Sequence, residues 1–210
     1  MKLYDISLPL SDDLPVWPGD PRIHLKRICS ITAGDPYTLS SIMMGAHSGT
    51  HVDAPSHFFE HGKTVDALSL ENCNGPCLVL ESSADRLIEQ HELEEYDLDG
   101  CTRILFKTRN SRIWTEATAG FREDYVALAA GAAAYLAEKK ILLVGIDYLT
   151  IEEFHPEGNS VHKILLENNI IILEGLNLSS VKAGAYELMC LPLKLVGAEG
   201  APARAVLRER

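Results

Sequence analysis

Hydrophobic residues in this chain fall in short runs bounded by glycine, proline or charge, and strand-like runs alternate with helix-like ones. Leu3 to Leu8 alternates as a strand does, and the stretch from Leu14-Pro15 through Trp17 to Pro21 reads as a proline-rich loop. Ile23 to Ile31 and Tyr37 to Met44 are predicted strands, as are the short runs Cys77 to Leu80 and Arg103 to Phe106. Between those two runs, Ser83-Ala84-Asp85 can cap a helix through Arg86 to Gln90. The alanine-rich segment Tyr125 to Glu138 predicts a helix, with Lys139 and Lys140 where the helix dipole favours cations. Ile141 to Gly145 reads as a buried strand that delivers Ile146-Asp147 to a loop at its C-terminal end, where α/β sheets place ligands. Ser160 is the predicted cap of a short helix holding His162, and Ile170 to Leu173 is another buried strand, ending at Glu174. Strands near Glu187 to Leu193 and Ala203 to Leu207 close the chain. This pattern, without repeat, low-complexity tract or linker, predicts one mixed α/β domain over residues 1–210.

Composition sharpens that picture mainly by exclusion. At 46% hydrophobic and 23% charged residues the chain has ordinary globular values, enough for a substantial core. No apolar run approaches membrane-spanning length, and Met1 to Asp5 starts no signal-peptide core, so a cytoplasmic setting is the expectation. A net charge of −11 argues against nucleic acid or an anionic membrane as a partner, because either would want a basic stripe. The five cysteines show no paired zinc-finger spacing and are expected to be reduced and mostly buried.

Candidate chemistry concentrates in His47-Ser48-Gly49-Thr50-His51-Val52-Asp53-Ala54-Pro55-Ser56-His57. His47, His51, Asp53 and His57 share one parity, so in an extended segment their side chains would point into one cavity. A helix would throw Asp53 off that face, and Pro55 would break it. Two imidazoles and a carboxylate suit zinc or a similar divalent ion, with a position left for water, and one histidine remains to move protons. His57 is that histidine, or else a further ligand. His162, read alone, is a ligand or a solvent-facing helix residue. Glu174 ends a run of four aliphatic residues and needs a partner there, whether a metal, an arginine or a helix N-terminus. Trp17 is either a core plug or the aromatic wall of a pocket. Phe58 and Phe59 divide between pocket and core, and His61 reads as a surface residue. Lys107-Thr108-Arg109-Asn110 is a candidate contact for a substrate carboxylate, and Glu199 and Arg204 a candidate structural pair.

His47-x-Gly49-Thr50-His51-x-Asp53-x-Pro55-x-His57 resembles the signature of the metal-dependent cyclase family, which includes the bacterial kynurenine formamidases. Trp17-Pro18-Gly19-Asp20, His162 with Glu174-Gly175-Leu176, and Gly197-Ala198-Glu199-Gly200-Ala201-Pro202-Ala203-Arg204 resemble further family segments, in the family's order. The resemblance implies a swivelling β/β/α arrangement and two metal ions per subunit, zinc first with manganese admitted. It places His47, His51 and Asp53 on one ion and His162 on the other, with Asp53 and Glu174 contributing to both. It makes His57 the proton donor and acceptor and turns Trp17 towards an aryl substrate. The implied reaction is hydrolysis of N-formyl-L-kynurenine to L-kynurenine and formate, a step of tryptophan degradation, by a homodimer or homotetramer. The alternatives are a related hydrolase of another small cyclic or aryl amide such as isatin, or a protein that binds a metal or small ligand without turnover.

Overall fold

The computed structural model describes residues 1–116, 120–154 and 161–210. Its strands are β1 (Leu3–Asp5), β2 (His24–Cys29), β3 (Leu39–Met43), β4 (His51–Asp53), β5 (Gly75–Glu81), β6 (Leu87–Ile88), β7 (Arg103–Lys107), β8 (Ala127–Leu128), β9 (Leu143–Ile146), β10 (Ile171–Glu174), β11 (Gly184–Pro192) and β12 (Gly200–Glu209). Its α-helices are α1 (Leu70–Cys73), α2 (Gln90–Glu94), α3 (Ala130–Glu138) and α4 (Val161–Glu167). One sheet takes the order β1-β12-β11-β5-β7-β9-β10-β4, and β4 pairs again with β12, so the sheet closes on itself. Strands β5, β7, β9 and β10 run parallel, and the remaining pairings of this sheet are antiparallel. This is the mixed α/β arrangement that the alternation of elements predicts.

The near-continuous apolar runs follow from burial on both faces of these strands. Leu105, Leu143, Ile171 and Leu173 point inwards and pack with Val52, Leu188, Ala205 and Leu207. Their neighbours Ile104, Phe106, Val144, Ile146 and Ile172 point outwards and pack under the helices with Leu93, Leu136 and Leu165. Two consequences place the site. Val52 faces the inner core, so His51 and Asp53 project from the opposite face of β4. Leu173 also faces inwards, so Glu174 projects towards the side covered by α4.

Local patterning misplaces two elements. The predicted helix Arg86 to Gln90 is strand β6 followed by α2, because the Ser82 hydroxyl accepts the Ala84 N–H within the turn and Ile88 is fully buried as a strand residue. The predicted helix Tyr125 to Glu138 begins only at Ala130, since Ala127 and Leu128 pair in parallel with Leu87 and Ile88 as β8. Pairing across the chain overrides alanine's helix preference there. Ser160 lies outside the described residues, while α4 does carry His162. The strands predicted at Ile23 to Ile31 and Tyr37 to Met44 form a separate exposed hairpin, β2–β3. Among the described residues, no helix is long and apolar enough to cross a membrane.

Candidate metal centre

Only three residues of the histidine-rich motif are extended. His51 and Asp53 sit on β4 as alternation requires, whereas His47 comes from the preceding turn and His57 ends a 3-10 turn opened by Pro55. Shared parity therefore accounts for the geometry of only two of the four, His51 and Asp53. Gly175 fixes the motif against the end of β10. Its φ is +67°, and a Cβ there would collide with the Gly49 carbonyl. The neighbouring Thr50 hydroxyl donates to the Gly175 carbonyl (2.5 Å) and accepts the Leu8 N–H (2.8 Å). The antiparallel register then sets Glu174 opposite His51.

Two overlapping groups result: His47, His51 and Asp53, and Asp53, His162 and Glu174. Within each group the donor atoms lie within 4.8 Å of one another. His47 Nδ1 is 2.8 Å from Asp53 Oδ1, and His51 Nε2 lies 3.4 Å from Asp53 and 3.2 Å from Glu174. His162 Nε2 is 3.6 Å from Asp53 Oδ2 and 3.3 Å from Glu174 Oε1. Asp53 belongs to both groups, so its two oxygens face different sets of imidazoles.

The donor set fits a divalent cation. His47 Nε2, His51 Nε2 and Asp53 Oδ2 are buried without a hydrogen-bond partner among the described residues. An unsatisfied buried polar atom costs about 1–3 kcal/mol, and nitrogen and oxygen donors of this kind are suited to zinc or manganese. Charge points the same way. Burial works against the charged form of His51, yet Asp53 and Glu174 outweigh it and push its pKa up to about 10. His162 is likewise pushed up to about 10 against burial, by Glu152 and Glu174. Burial also opposes the charge on Asp53, but His47 and His51 hold its carboxyl well below the usual range. Burial and Asp53 push Glu174 upward, and His162 and His51 pull it down further than that. The carboxylate pair thus demands positive charge, which imidazolium protons supply and which a bound cation would replace with release of those protons.

A cavity of about 490 Å³ opens over these groups, with Trp17, His57, Phe58, Thr150 and Glu152 in its wall. His57 belongs to neither donor group. Its ring stacks on His47 at 4.1 Å between centroids and sits 6.1 Å from His162. Partial burial lowers its pKa from 6.5, helped by His47 and His162 and opposed by Asp53 and Glu174. Trp17 does both jobs open to it: it meets Phe121 and Phe154 edge-on at 5.2 and 5.4 Å and also lines the cavity. Phe58 stacks on His162 at 4.9 Å, whereas Phe59 packs against the helix-covered core. His61 is exposed and away from this cavity.

Two expectations are corrected. Lys107 to Asn110 does not reach the cavity. Lys107 pairs with Glu81 (3.1 Å), Arg109 donates to the Asp85 and Asp124 carbonyls, and the Thr108 hydroxyl accepts the Asn110 N–H to start a 3-10 helix. Glu199 and Arg204 do not pair with each other. Arg204 grips Asp5 on β1, with Nε 2.9 Å from Oδ1, while Glu199 at the β4 seam lies 3.5 Å from His47 Nε2. Gly200 beside it gives His47 room, since a Cβ there would come within 2.7 Å of the ring.

The sequence marks Asp147 only as delivered to a loop where ligands bind, and Glu152 not at all. Asp147 is fully buried and accepts from Thr108 N and Oγ1 (2.8 Å each) and from Ser111 N and Oγ (3.0 and 2.7 Å). Glu152 accepts from both the backbone and the ring of His162.

The model of the Cyclase family, described as "Putative cyclase", matches residues 4–153. Cyclase-like protein 3 of Arabidopsis thaliana is 38% identical over 98% of this chain and 79% of its own length. A kynurenine formamidase of Maricaulis maris is 37% identical over 99% of this chain and 98% of its own length. A solved structure described as a potential metal-dependent hydrolase with cyclase activity aligns at a TM-score of 0.85 and 37% identity, covering 100% of this chain and 99% of that one. Isatin hydrolase A from Ralstonia solanacearum aligns at 0.83 and 25% identity, over 99% of this chain and 92% of that one. On the extent of the family match and of these relatives, the chain belongs to the Cyclase family.

Proposed function

We propose that residues 1–210 form one metal-dependent hydrolase of amide C–N bonds, with N-formyl-L-kynurenine as its substrate. One observation carries this reading: two donor groups share Asp53, while His57 stands outside both and faces the same cavity as Trp17 and Phe58. The names of the relatives agree with it, as does the metal-dependent hydrolase of the same fold. His47, His51 and Asp53 would hold one divalent ion and Asp53, His162 and Glu174 a second, zinc first with manganese admitted. Two neighbouring cations need shared anions between them, and a carboxylate can bridge where an imidazole cannot. When bound, such ions polarise a carbonyl and make water acidic near neutral pH.

The rest falls to the chain's own side chains. Trp17 and Phe58 give the aryl ring flat apolar surfaces. An imidazole nitrogen of His57 takes a proton from water as its oxygen adds to the formyl carbon, and returns a proton to the departing aryl nitrogen. One water is consumed, and formate and L-kynurenine leave. A neutral imidazole is needed for the first step, and the lowered pKa of His57 keeps it neutral at pH 7.

Hydrolysis of N-formyl-L-kynurenine, followed optically, tests the reading on protein as purified, after chelation, and after restoring zinc or manganese. Turnover that disappears and returns with metal supports both reaction and cofactor. Metal-dependent stability without turnover moves the substrate to small lactams such as isatin, the second reading, which the likeness to isatin hydrolase A favours. A protein that only binds metal would have no use for His57. The proposal includes a cytoplasmic setting, which suits the free thiols, and a homodimer or homotetramer. The β2–β3 hairpin supports the assembly: a hairpin is marginal alone, and this one exposes Leu25, Ile28, Leu39, Ile42 and Met43. Light scattering on the purified protein reads the subunit number directly.

A further inference from the structure

Glu152 has no part in the chemistry above, yet it is a buried acid at the wall of the cavity. Its Oε2 accepts two hydrogen bonds from one residue, the backbone N–H of His162 (3.1 Å) and the ring Nδ1 (2.8 Å). With Nδ1–H engaged, the neutral ring carries its lone pair on Nε2, the atom that faces Asp53 Oδ2 and Glu174 Oε1. Phe58, stacked on the imidazole with 20° between planes, restrains the ring from its face.

The other two ligand histidines are held differently. His51 Nδ1 is held by the Gly49 carbonyl (2.9 Å), a neutral acceptor, and His47 Nδ1 by Asp53 itself (2.8 Å). Among the described residues, His162 is the one of the three whose ring is hydrogen-bonded to a carboxylate from outside the donor groups; Glu199, near His47 Nε2, stands off at 3.5 Å and is half exposed. The charge is therefore uneven. Asp53, His162 and Glu174 present two carboxylates to a cation, with that of Glu152 directly behind the imidazole. His47, His51 and Asp53 include one, and it is shared, with Glu174 Oε2 3.2 Å from His51 and the half-exposed Glu199 3.5 Å from His47.

We propose that Glu152 is a positioning residue: it fixes the tautomer and direction of His162 and makes the Asp53, His162 and Glu174 group the tighter of the two cation positions. The inference rests on the metal-centre reading. Carboxylates behind a ligating histidine orient the ring and strengthen it as a donor, and removing one weakens metal affinity about 10- to 100-fold. The Glu152 backbone has separate anchors, with its carbonyl accepting the Tyr125 hydroxyl (2.6 Å) and its N–H directed at Thr150 Oγ1 (3.3 Å). Altering the carboxylate leaves both of these backbone anchors in place.

The test is a zinc titration of the metal-free protein against a chromophoric chelator, for wild type, Glu152→Gln, Glu152→Asp and Tyr125→Phe. The melting temperature of each metal-free variant is recorded alongside. Glu152→Gln should weaken the tighter zinc equivalent about 10- to 100-fold, leave the weaker one in place and melt as the wild type does. Glu152→Asp, which keeps the charge on a shorter arm, should recover part of the loss. Tyr125→Phe loosens the loop and should lower the melting temperature with no change in zinc affinity. A wild-type zinc curve in Glu152→Gln overturns the proposal, as does a change in the weaker equivalent alone. Losses in Glu152→Gln and Tyr125→Phe that both track the melting temperature overturn it too, by making Glu152 part of the scaffold only. A wild type that takes up no zinc or manganese at all sinks the metal-centre reading itself, a different result from any of these.

Discussion

His57→Asn separates proton transfer from metal binding. His57 is in neither donor group, so the variant loses no ligand and should keep the wild-type zinc content. What it does lose structurally is the ring stack on His47 at 4.1 Å and the edge contact with Phe58 at 4.7 Å. Ring pairs are worth about 0.5–1.5 kcal/mol each, too little to unfold the protein. The catalytic loss should be larger. A positioned general acid–base contributes about 10²–10⁴ in rate, which is about 2.7–5.5 kcal/mol of barrier. The pH profile carries the sign. Partial burial lowers the pKa of His57 from 6.5, and His47 and His162 lower it further against Asp53 and Glu174. Bound dications would move it the same way. The neutral form needed as base therefore persists below pH 6.5, and kcat/KM should fall only as the pH drops through that lowered value. The assay is kcat/KM for N-formyl-L-kynurenine from about pH 5 to about pH 8, with zinc counted per chain. The variant should run at least about 100-fold slower and lose the acid limb. Turnover within about tenfold of wild type with the limb intact refutes the role, and zinc lost from the variant makes His57 a ligand.

Three further outcomes follow from the geometry. Trp17→Ala should raise KM for an aryl formamide about tenfold, with little effect on an aliphatic one; equal losses for both would show that the indole serves only its contacts with Phe121 and Phe154. Gly175→Ala should cost about 2–4 kcal/mol in urea unfolding, because the new Cβ lands on the Gly49 carbonyl at a left-handed φ; an unchanged midpoint would mean that the close approach is absent. Burial raises the pKa of Asp147 despite the donors from Thr108 and Ser111, so its contribution to stability is largest at low pH and falls as the pH rises through the raised value. Asp147→Asn, which keeps an acceptor oxygen for the buried donors, should cost less than Asp147→Ala, which strands two buried N–H groups at about 1–3 kcal/mol each; equal urea midpoints for the two variants would contradict this.

What could be read from the sequence was what neighbours along the chain decide. His51 and Asp53 flank Val52, and one apolar residue between two polar ones on a strand settles which way all three point. The apolar runs at Ile141 to Gly145 and Ile170 to Leu173 show their burial directly, since both faces of those strands are covered. His162 and Glu174 enter the site through the β4–β10 register and the placement of α4, and residue spacing carries no information on either. The aliphatic run before Glu174 marked it as needing a partner, and resemblance to a family tied both residues to a metal. The partners of Glu152 and Asp147 were invisible for a related reason. An acid in a loop looks the same in a sequence whether it meets water, a histidine ring or four buried donors, and only the chain folded over it decides. Lys107 and Arg109 erred the other way, because charges that look available are engaged by Glu81 and by loop carbonyls.

The placement of β4 explains why so short a strand can organise the site. It has three residues, yet it pairs with β10 on one side and with β12 on the other. Pairing with β10 brings Glu174 opposite His51; pairing with β12 sets Gly200 opposite Asp53 and leaves space for the His47 ring. The strand that carries the donors is thus the strand that closes the sheet. Val52 ties closure to the inner core, and any change that pulls it from that core also turns His51 and Asp53 away from His162 and Glu174. A donor set spread from His47 to Glu174 therefore depends on β12, a strand that adds no member to either group and whose first residues hold the seam shut.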